Sequence, residues 1–369
     1  MNILHMRSEY LDNGPGTQPL RIAQEFKRRG HDSFFAGAKG IMDQAIKKSG
    51  YDFIEVPELS RNKRSPISFF RSVYKISKII KENNISIIHS HNAACSFVAY
   101  FASLFCRSHK IRIVRSVRGV ELRPTHQYRN LLYRFYPATL LAVCEYAKTK
   151  LISLGASEDN IIVTYNGADL TRFDREKLSY EHMRDQYNVQ KDEILIGHVG
   201  AFSGWKGQEV LVEALPSLNL STDMKVKLMF VGDGPAMTEA KDKVLELGLE
   251  SQVIFVGRQM QSEVYHMALD IYCQPSTEGE LFPNAIVEAL ALGKPWVGSD
   301  ISGLSELTDN GRAGTVVEPG NVEALADALK PLILDEELRR KMGDRGYALV
   351  LDKLTIQKVC DRISVAYGL

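Results

Sequence analysis

With 369 residues, 44% of them hydrophobic and 25% charged, the chain has the composition of an ordinary globular protein sized for two domains, which excludes disorder, collagen and coiled coil. Its longest nearly apolar stretch, 93–106, falls short of the roughly 20 residues that a membrane-spanning helix needs. The net charge of +1 conceals a division: residues 1–160 carry 25 Lys and Arg against 13 Asp and Glu, and 161–369 carry 21 against 32, so the first half suits a phosphorylated acceptor, a polyanion or an anionic membrane face.

Along the chain, short apolar runs at 2–5, 33–36, 85–89, 112–117 and 140–143 read as strands, with amphipathic helices over 17–29, 67–82 and 93–105. The polar, weakly periodic stretch 171–192 reads as a linker. The rhythm then resumes, with strands at 194–199, 227–231, 253–256, 271–274 and 296–298 and helices at 207–215, 237–247 and 283–292. Beyond residue 320 the pattern is helical to the end. This alternation predicts an α/β protein of two doubly wound Rossmann-like domains, 1–170 and 193–350, facing a cleft. A C-terminal helix within 351–369 is expected to pack back across both. Ligands of such sheets bind at the carboxyl ends of the strands.

The five cysteines are scattered and never form a C-x-x-C pair, so neither a disulfide framework nor a zinc cluster follows. The opening MNILHMRSEY has no charged n-region and no long apolar run, so no signal peptide is expected and the chain is read as cytoplasmic.

The most informative stretch is EGELFPNAIVEALALGKP, residues 278–295. A helix is expected to start near Pro283 and Asn284. Glu280 then lies in the loop before it and Glu288 in its second turn, while the free N–H groups of the first turn face a phosphate. Spacing alone leaves a second reading, a solvated acid pair around an ordinary helix. Gly14-Pro15-Gly16 is either a plain turn or a place where backbone approaches a ligand closely. His89 and His91 follow a strand end, and as metal ligands they lack a third partner in sequence reach, which leaves packing or an acceptor-side role. With no D-x-D pair, no metal cofactor is expected.

The glutamate stretch resembles the E-x(7)-E signature of retaining glycosyltransferases of the GT-B fold, family 4. YNGADLTRF (165–173), GHVGAFSGWKGQEVLVEAL (197–215), MFVGDGP (229–235), VIFVGRQ (253–259), DIYCQPS (270–276) and SDISGLSELTDNGRAGTVVEPGN (299–321) resemble further segments of that family, in order. DNGPG before a helix ending in RRGH, and IIHSHNAA, are weaker matches in the first half.

The resemblance implies that Glu288 holds the nucleotide ribose, Glu280 the donor sugar, and Lys206 the diphosphate. It places backbone near Arg258 against the base, and the loop and helix start at Leu281, Phe282, Pro283 and Asn284 around the donor. Gly14 and Gly16 are implied to approach donor phosphate and sugar. The chain departs from the family pattern twice. Ala201 stands where an Arg is usual, and Arg118 where a His precedes the Gly of a T-x-H-G loop. Arg118 either supplies the missing positive charge beside the diphosphate or is a surface arginine.

The implied activity is retaining transfer of a sugar from a nucleotide-diphosphate donor, UDP favoured over GDP, to a lipid-linked or polysaccharide acceptor in cell-surface glycan biosynthesis. With no evident side-chain nucleophile, front-face displacement is the default. A sugar-nucleotide epimerase or phosphorylase on the same fold, and a non-catalytic two-domain sugar-binding protein, are the alternatives. A nucleic-acid partner is not expected. RNKRSPISFFRSVYKISKIIK, residues 61–81, interleaves basic and aromatic residues. A helix there would align Phe70, Val73, Ser77 and Ile80 on one stripe, which either packs inward or lies on anionic lipid at the inner face of the membrane.

Overall fold

The computed structural model describes residues 1–11, 14–106, 110–118, 138–220 and 224–369. They divide into two compact units, one of Met1–Asn166 with Ile356–Leu369 and one of Gly167–Thr355.

Unit 1 is built on β1 (Asn2–Glu9), β2 (Asp32–Ala38), β3 (Asp52–Glu55), β4 (Ile85–Ser90), β5 (Arg112–Val117), β6 (Thr139–Ala142) and β7 (Ile161–Val163). These pair in parallel in the order β3-β2-β1-β4-β5-β6-β7. The helices α1 (Gly14–Arg28), α2 (Asp43–Lys48), α3 (Pro66–Glu82), α4 (Ala93–Leu104) and α5 (Glu145–Ser153) connect them. Apolar residues run consecutively through the central strands, and Ile3, Leu4, Ile87, Ile88, Leu140 and Leu141 are all buried, as a parallel sheet covered on both faces requires. The order steps outward from β1 on one side and from β4 on the other, so the chain changes direction between these two strands. Their pairing sets His5 opposite His89 and Met6 opposite Ser90. Helix starts are chemically marked: the Ser65 hydroxyl accepts the Ser68 N–H at 3.1 Å with Pro66 at the first helical position, and the Asn92 side chain accepts the Cys95 N–H at 2.9 Å.

Unit 2 repeats the plan with β8 (Glu193–Val199), β9 (Lys225–Val231), β10 (Val253–Gly257), β11 (Ile271–Gln274), β12 (Trp296–Ser299) and β13 (Gly314–Val317), in the order β10-β9-β8-β11-β12-β13. Its helices are α6 (Glu181–Gln186), α7 (Gln208–Ser217), α8 (Met237–Glu246), α9 (Ser262–Ala268), α10 (Asn284–Ala291), α11 (Val322–Leu334) and α12 (Glu336–Leu349). One core packs Phe202, Phe230, Leu211 and Leu228 of the loop, strands and helix against Leu325, Leu329 and Ile333 of α11. A π-helical turn, Val350–Leu354, then leads to α13 (Ile356–Tyr367), which belongs to unit 1. There Ile356, Val359, Ile363 and Tyr367 close over Ile3, Phe26, Ile87 and Leu141.

Three strands have no counterpart in the sequence reading: β3, β7 and β13. Residues 171–192, read as a linker, lie inside unit 2, where Phe173 and Met183 are buried and α6 forms. The stripe expected on α3 is corrected at one position. Val73, Ser77 and Ile80 are buried, whereas Phe70 is 70% exposed and shares the solvent face with Ile67 and Tyr74.

Candidate active site

In unit 2 the loops that follow β8, β9 and β11 meet at the carboxyl edge of the sheet. Backbone packs directly on backbone there. Gly207 adopts φ +70°, and a Cβ on it would lie 2.0 Å from the Pro275 carbonyl oxygen; a Cβ on Gly232 (φ +145°) would lie 2.0 Å from that of Gly200. The Thr277 N–H donates to the Trp205 carbonyl at 2.9 Å, fixing the loop that carries Lys206 against the loop that carries Glu280. Lys206 and Glu280, 74 residues apart in sequence, form an ion pair. The ammonium also stands 4.7 Å from the centroid of the Trp205 ring.

A short relay holds the carboxylate. The Tyr272 hydroxyl donates to Gln274 Oε1 at 2.6 Å, and Gln274 Nε2 donates to Ser276 Oγ at 2.7 Å and to Glu280 Oε1 at 3.4 Å. Glu280 lies in the loop and Glu288 in the second turn of α10, as the sequence predicts, and each is 8% exposed. Pro283 is the N-cap of α10 in an extended conformation (φ −69°, ψ 132°) and provides no side-chain cap. The first-turn N–H groups of α10 are thereby left to other partners. Leu281 and Phe282 are buried and anchor the loop, so any donor contact from them falls to the backbone.

The histidines near this edge are not acids or bases at neutral pH. Burial holds His266 at about 3, so its 3.7 Å approach to Glu288 is a contact of a neutral ring rather than an ion pair. Burial, reinforced by the charge of Lys206, holds His198 at about 3 as well, with its Nδ1 2.9 Å from the Cys273 carbonyl oxygen. Arg258 follows β10 on the surface. With His182, Met183, Gln259 and Tyr265 it borders a hollow of about 320 Å³ that none of Lys206, Glu280 and Glu288 lines.

In unit 1, Gly14 and Gly16 lie in the first turn of α1, and Arg118 follows β5. Arg118 is half-buried, and its Nε and Nη1 are enclosed without a hydrogen-bond partner. Burial first, then the charges of Arg7 and Arg21, hold its basicity down at about 9. The third partner that sequence reach denied to His89 and His91 is His5, delivered by the parallel register of β1 and β4. This is the one group with metal-ligand spacing among the described residues. Its chemistry does not suit a cation. His89 is engaged through both nitrogens, with the Tyr367 hydroxyl at 2.7 Å and Ser116 Oγ at 2.8 Å, and the charge of Arg118 bears on both His89 and His91.

Two family models match in succession, Glycosyltransferase Family 4 over residues 13–172 and Glycosyl transferases group 1 over residues 179–349. The chain is a family 4 glycosyltransferase. It is 24% identical over 363 residues to N-acetyl-alpha-D-glucosaminyl L-malate synthase of Bacillus anthracis, covering 96% of this chain and 93% of that one. It is 24% identical over 312 residues to the capsular polysaccharide biosynthesis glycosyltransferase CapM of Staphylococcus aureus, covering 82% and 81%. Among solved structures, a glycosyltransferase from Rickettsia africae superposes with a TM-score of 0.89 at 24% identity, covering 100% of this chain and 97% of that one. Anabaena HepE in complex with UDP-glucose gives 0.84 at 23% identity, covering 100% and 99%. The architecture of this glycosyltransferase is GT-B, two parallel α/β units.

Proposed function

We propose that this glycosyltransferase transfers a sugar from a UDP-sugar to a lipid-linked or polysaccharide acceptor, with retention at the anomeric carbon and without a metal ion. The observation that carries the reading is the Lys206–Glu280 ion pair at the carboxyl edge of unit 2, beside the start of the helix that bears Glu288. The difficult step is the departure of the nucleotide diphosphate, as negative charge builds on its leaving oxygen. Lys206 and the N–H groups of the first turn of α10 are the groups assigned to that charge. Glu280 is assigned to the sugar hydroxyls and Glu288 to the ribose. Arg118 is the candidate for the second cation that Ala201 does not supply.

In the front-face path the bond from the anomeric carbon to the diphosphate breaks while the acceptor oxygen bonds to the same face. The acceptor hydroxyl proton passes to the leaving phosphate oxygen. HepE complexes with UDP and with UDP-glucose support the choice of nucleotide, and CapM supports a role in surface polysaccharide synthesis. Proton NMR of the product tests the stereochemistry: the anomeric configuration of the donor is expected to persist. An inverted product, or a glycosyl-enzyme trapped by mass spectrometry, would overturn the path.

The acceptor is proposed to be met at an anionic inner membrane face. Among the described residues no helix is long and apolar enough to cross a membrane. Support comes from Ile67, Phe70 and Tyr74 of α3, exposed at 65%, 70% and 71%, and from exposed Phe101 and Phe105 at the end of α4. Phe69 and Phe101 join the two helices edge to face at 5.5 Å. Exposed Arg61, Lys63, Arg64 and Arg71 surround this apolar surface, and Lys75 is instead paired with Glu58 at 2.8 Å.

A further inference from the structure

Outside the donor-side constellation, a cluster of positive charge lies in unit 1. Arg118 follows β5 with Nε and Nη1 buried and unpartnered, and after burial the charges that bear on it are Arg7 and, more weakly, Arg21, opposed in part by the Tyr367 hydroxyl. Two buried N–H-bearing nitrogens without an acceptor are expensive, because their desolvation is not repaid by hydrogen bonds. On the adjacent strand end, within reach of the Arg118 charge, is His91, only 7% exposed and with Nδ1 unpartnered. Its other nitrogen faces His5 Nδ1 at 3.2 Å, its ring stacks on His89 at 4.2 Å, and its backbone N–H donates to the Met6 carbonyl at 2.8 Å. The ring therefore cannot turn freely. His91 follows β4, one strand of the β1–β4 switch, and Arg118 follows its neighbour β5, both at the carboxyl edge where doubly wound sheets bind ligands.

We infer that Arg118 and His91 together form an anion site within unit 1 that takes a phosphate or carboxylate group of a substrate. His91 is neutral, since burial and the neighbouring His89, His5 and Arg118 all oppose its protonation. It serves as a donor when His5 Nδ1–H donates to His91 Nε2, which leaves the proton on His91 Nδ1. Arg118 supplies the charge. A divalent cation is disfavoured at the same place by the three arginines.

The group bound belongs either to the diphosphate of the donor or to an acidic acceptor, and only this choice of roles rests on the transferase reading. Thermal unfolding of the full chain in anion-poor buffer separates the cases, with inorganic phosphate and UDP as probes. Phosphate at about 100 times its dissociation constant is expected to raise the wild-type midpoint by about 5–10 °C and to leave Arg118→Gln and His91→Phe unmoved. Without phosphate, Arg118→Gln should unfold at the wild-type temperature or above, because it removes two enclosed nitrogens that lack an acceptor. If UDP then stabilises wild type and Arg118→Gln alike, the anion is the acceptor's; if the variant loses the UDP response too, it is the diphosphate. Equal phosphate stabilisation of all three proteins, or an Arg118→Gln midpoint below wild type without phosphate, would overturn the site. Phosphate binding needs no turnover, so failure of a transfer assay leaves this test standing.

Discussion

Replacing Glu280 by Ala strands Lys206. The side chains of the pair are only 15% and 10% exposed, and the Trp205 ring offers the ammonium a face but no acceptor. Breaking a buried pair from one side costs about 3–5 kcal/mol, and the residual exposure here places the cost near the low end, at about 3 kcal/mol. For a unit of this size that corresponds to a midpoint lowered by roughly 6–12 °C. Lys206→Ala should cost less, because Gln274 still donates to the abandoned carboxylate. The double variant removes both charges, so its loss should fall short of the sum of the singles by about 1–3 kcal/mol. Urea unfolding followed by tryptophan fluorescence is suited to this test. The two tryptophans, Trp205 and Trp296, both lie in unit 2, so the signal reports that unit alone. Additivity of the two single losses within about 0.5 kcal/mol would refute the coupling on which the site is built.

Further outcomes follow from the same geometry. Gly207→Ala places a methyl against the Pro275 carbonyl in left-handed backbone and should cost about 2–4 kcal/mol in the same urea assay; a loss below about 1 kcal/mol would mean that the two loops are not packed as described. His198 and His266 titrate near 3 in the folded unit and near 6.5 when unfolded, so the unfolded state binds the extra protons between these values. Stability is then complete above pH 6.5 and falls with pH, by about 2 kcal/mol per histidine at pH 5; equal urea midpoints at pH 7 and pH 5 would contradict the burial of both rings. Reversing Arg61, Arg64 and Arg71 to Glu should weaken sedimentation with anionic vesicles by roughly 100-fold or more, at about 1 kcal/mol per basic residue, and equal binding to neutral vesicles would reject the docking face.

The sequence discloses central strands more readily than edges, and the reason is physical. β1, β4 and β8 have neighbours on both sides and read as continuous apolar runs, whereas the missed β3, β7 and β13 each stand at a sheet edge with one neighbour and three or four residues. DFIE and IIV are too short to show a period. On α3 the inward stripe is legible because its spacing is helical, but Phe70 cannot be assigned a face by apolarity alone when Ile67 and Tyr74 form a second apolar set on the opposite side. The glutamates and Lys206 are legible as a constellation because their motifs are local. Their direct pairing is not, since it depends on Gly207 letting the β8 loop settle on the β11 loop. His5 is hidden in the same way. Within NILHM it reads as an interruption of an apolar strand, and only the register of β1 against β4 makes it the partner of His91.

Isothermal titration of UDP into the wild-type chain, Glu288→Ala and Glu280→Ala tests the donor assignment most directly. Wild type is expected to bind UDP, Glu288→Ala to bind it more weakly by about 1.5–3 kcal/mol, the cost of a hydrogen bond to a charged group, and Glu280→Ala to retain UDP affinity while losing discrimination for UDP-sugar over UDP. Wild-type affinity in Glu288→Ala, or no UDP binding by the wild-type chain, would contradict it.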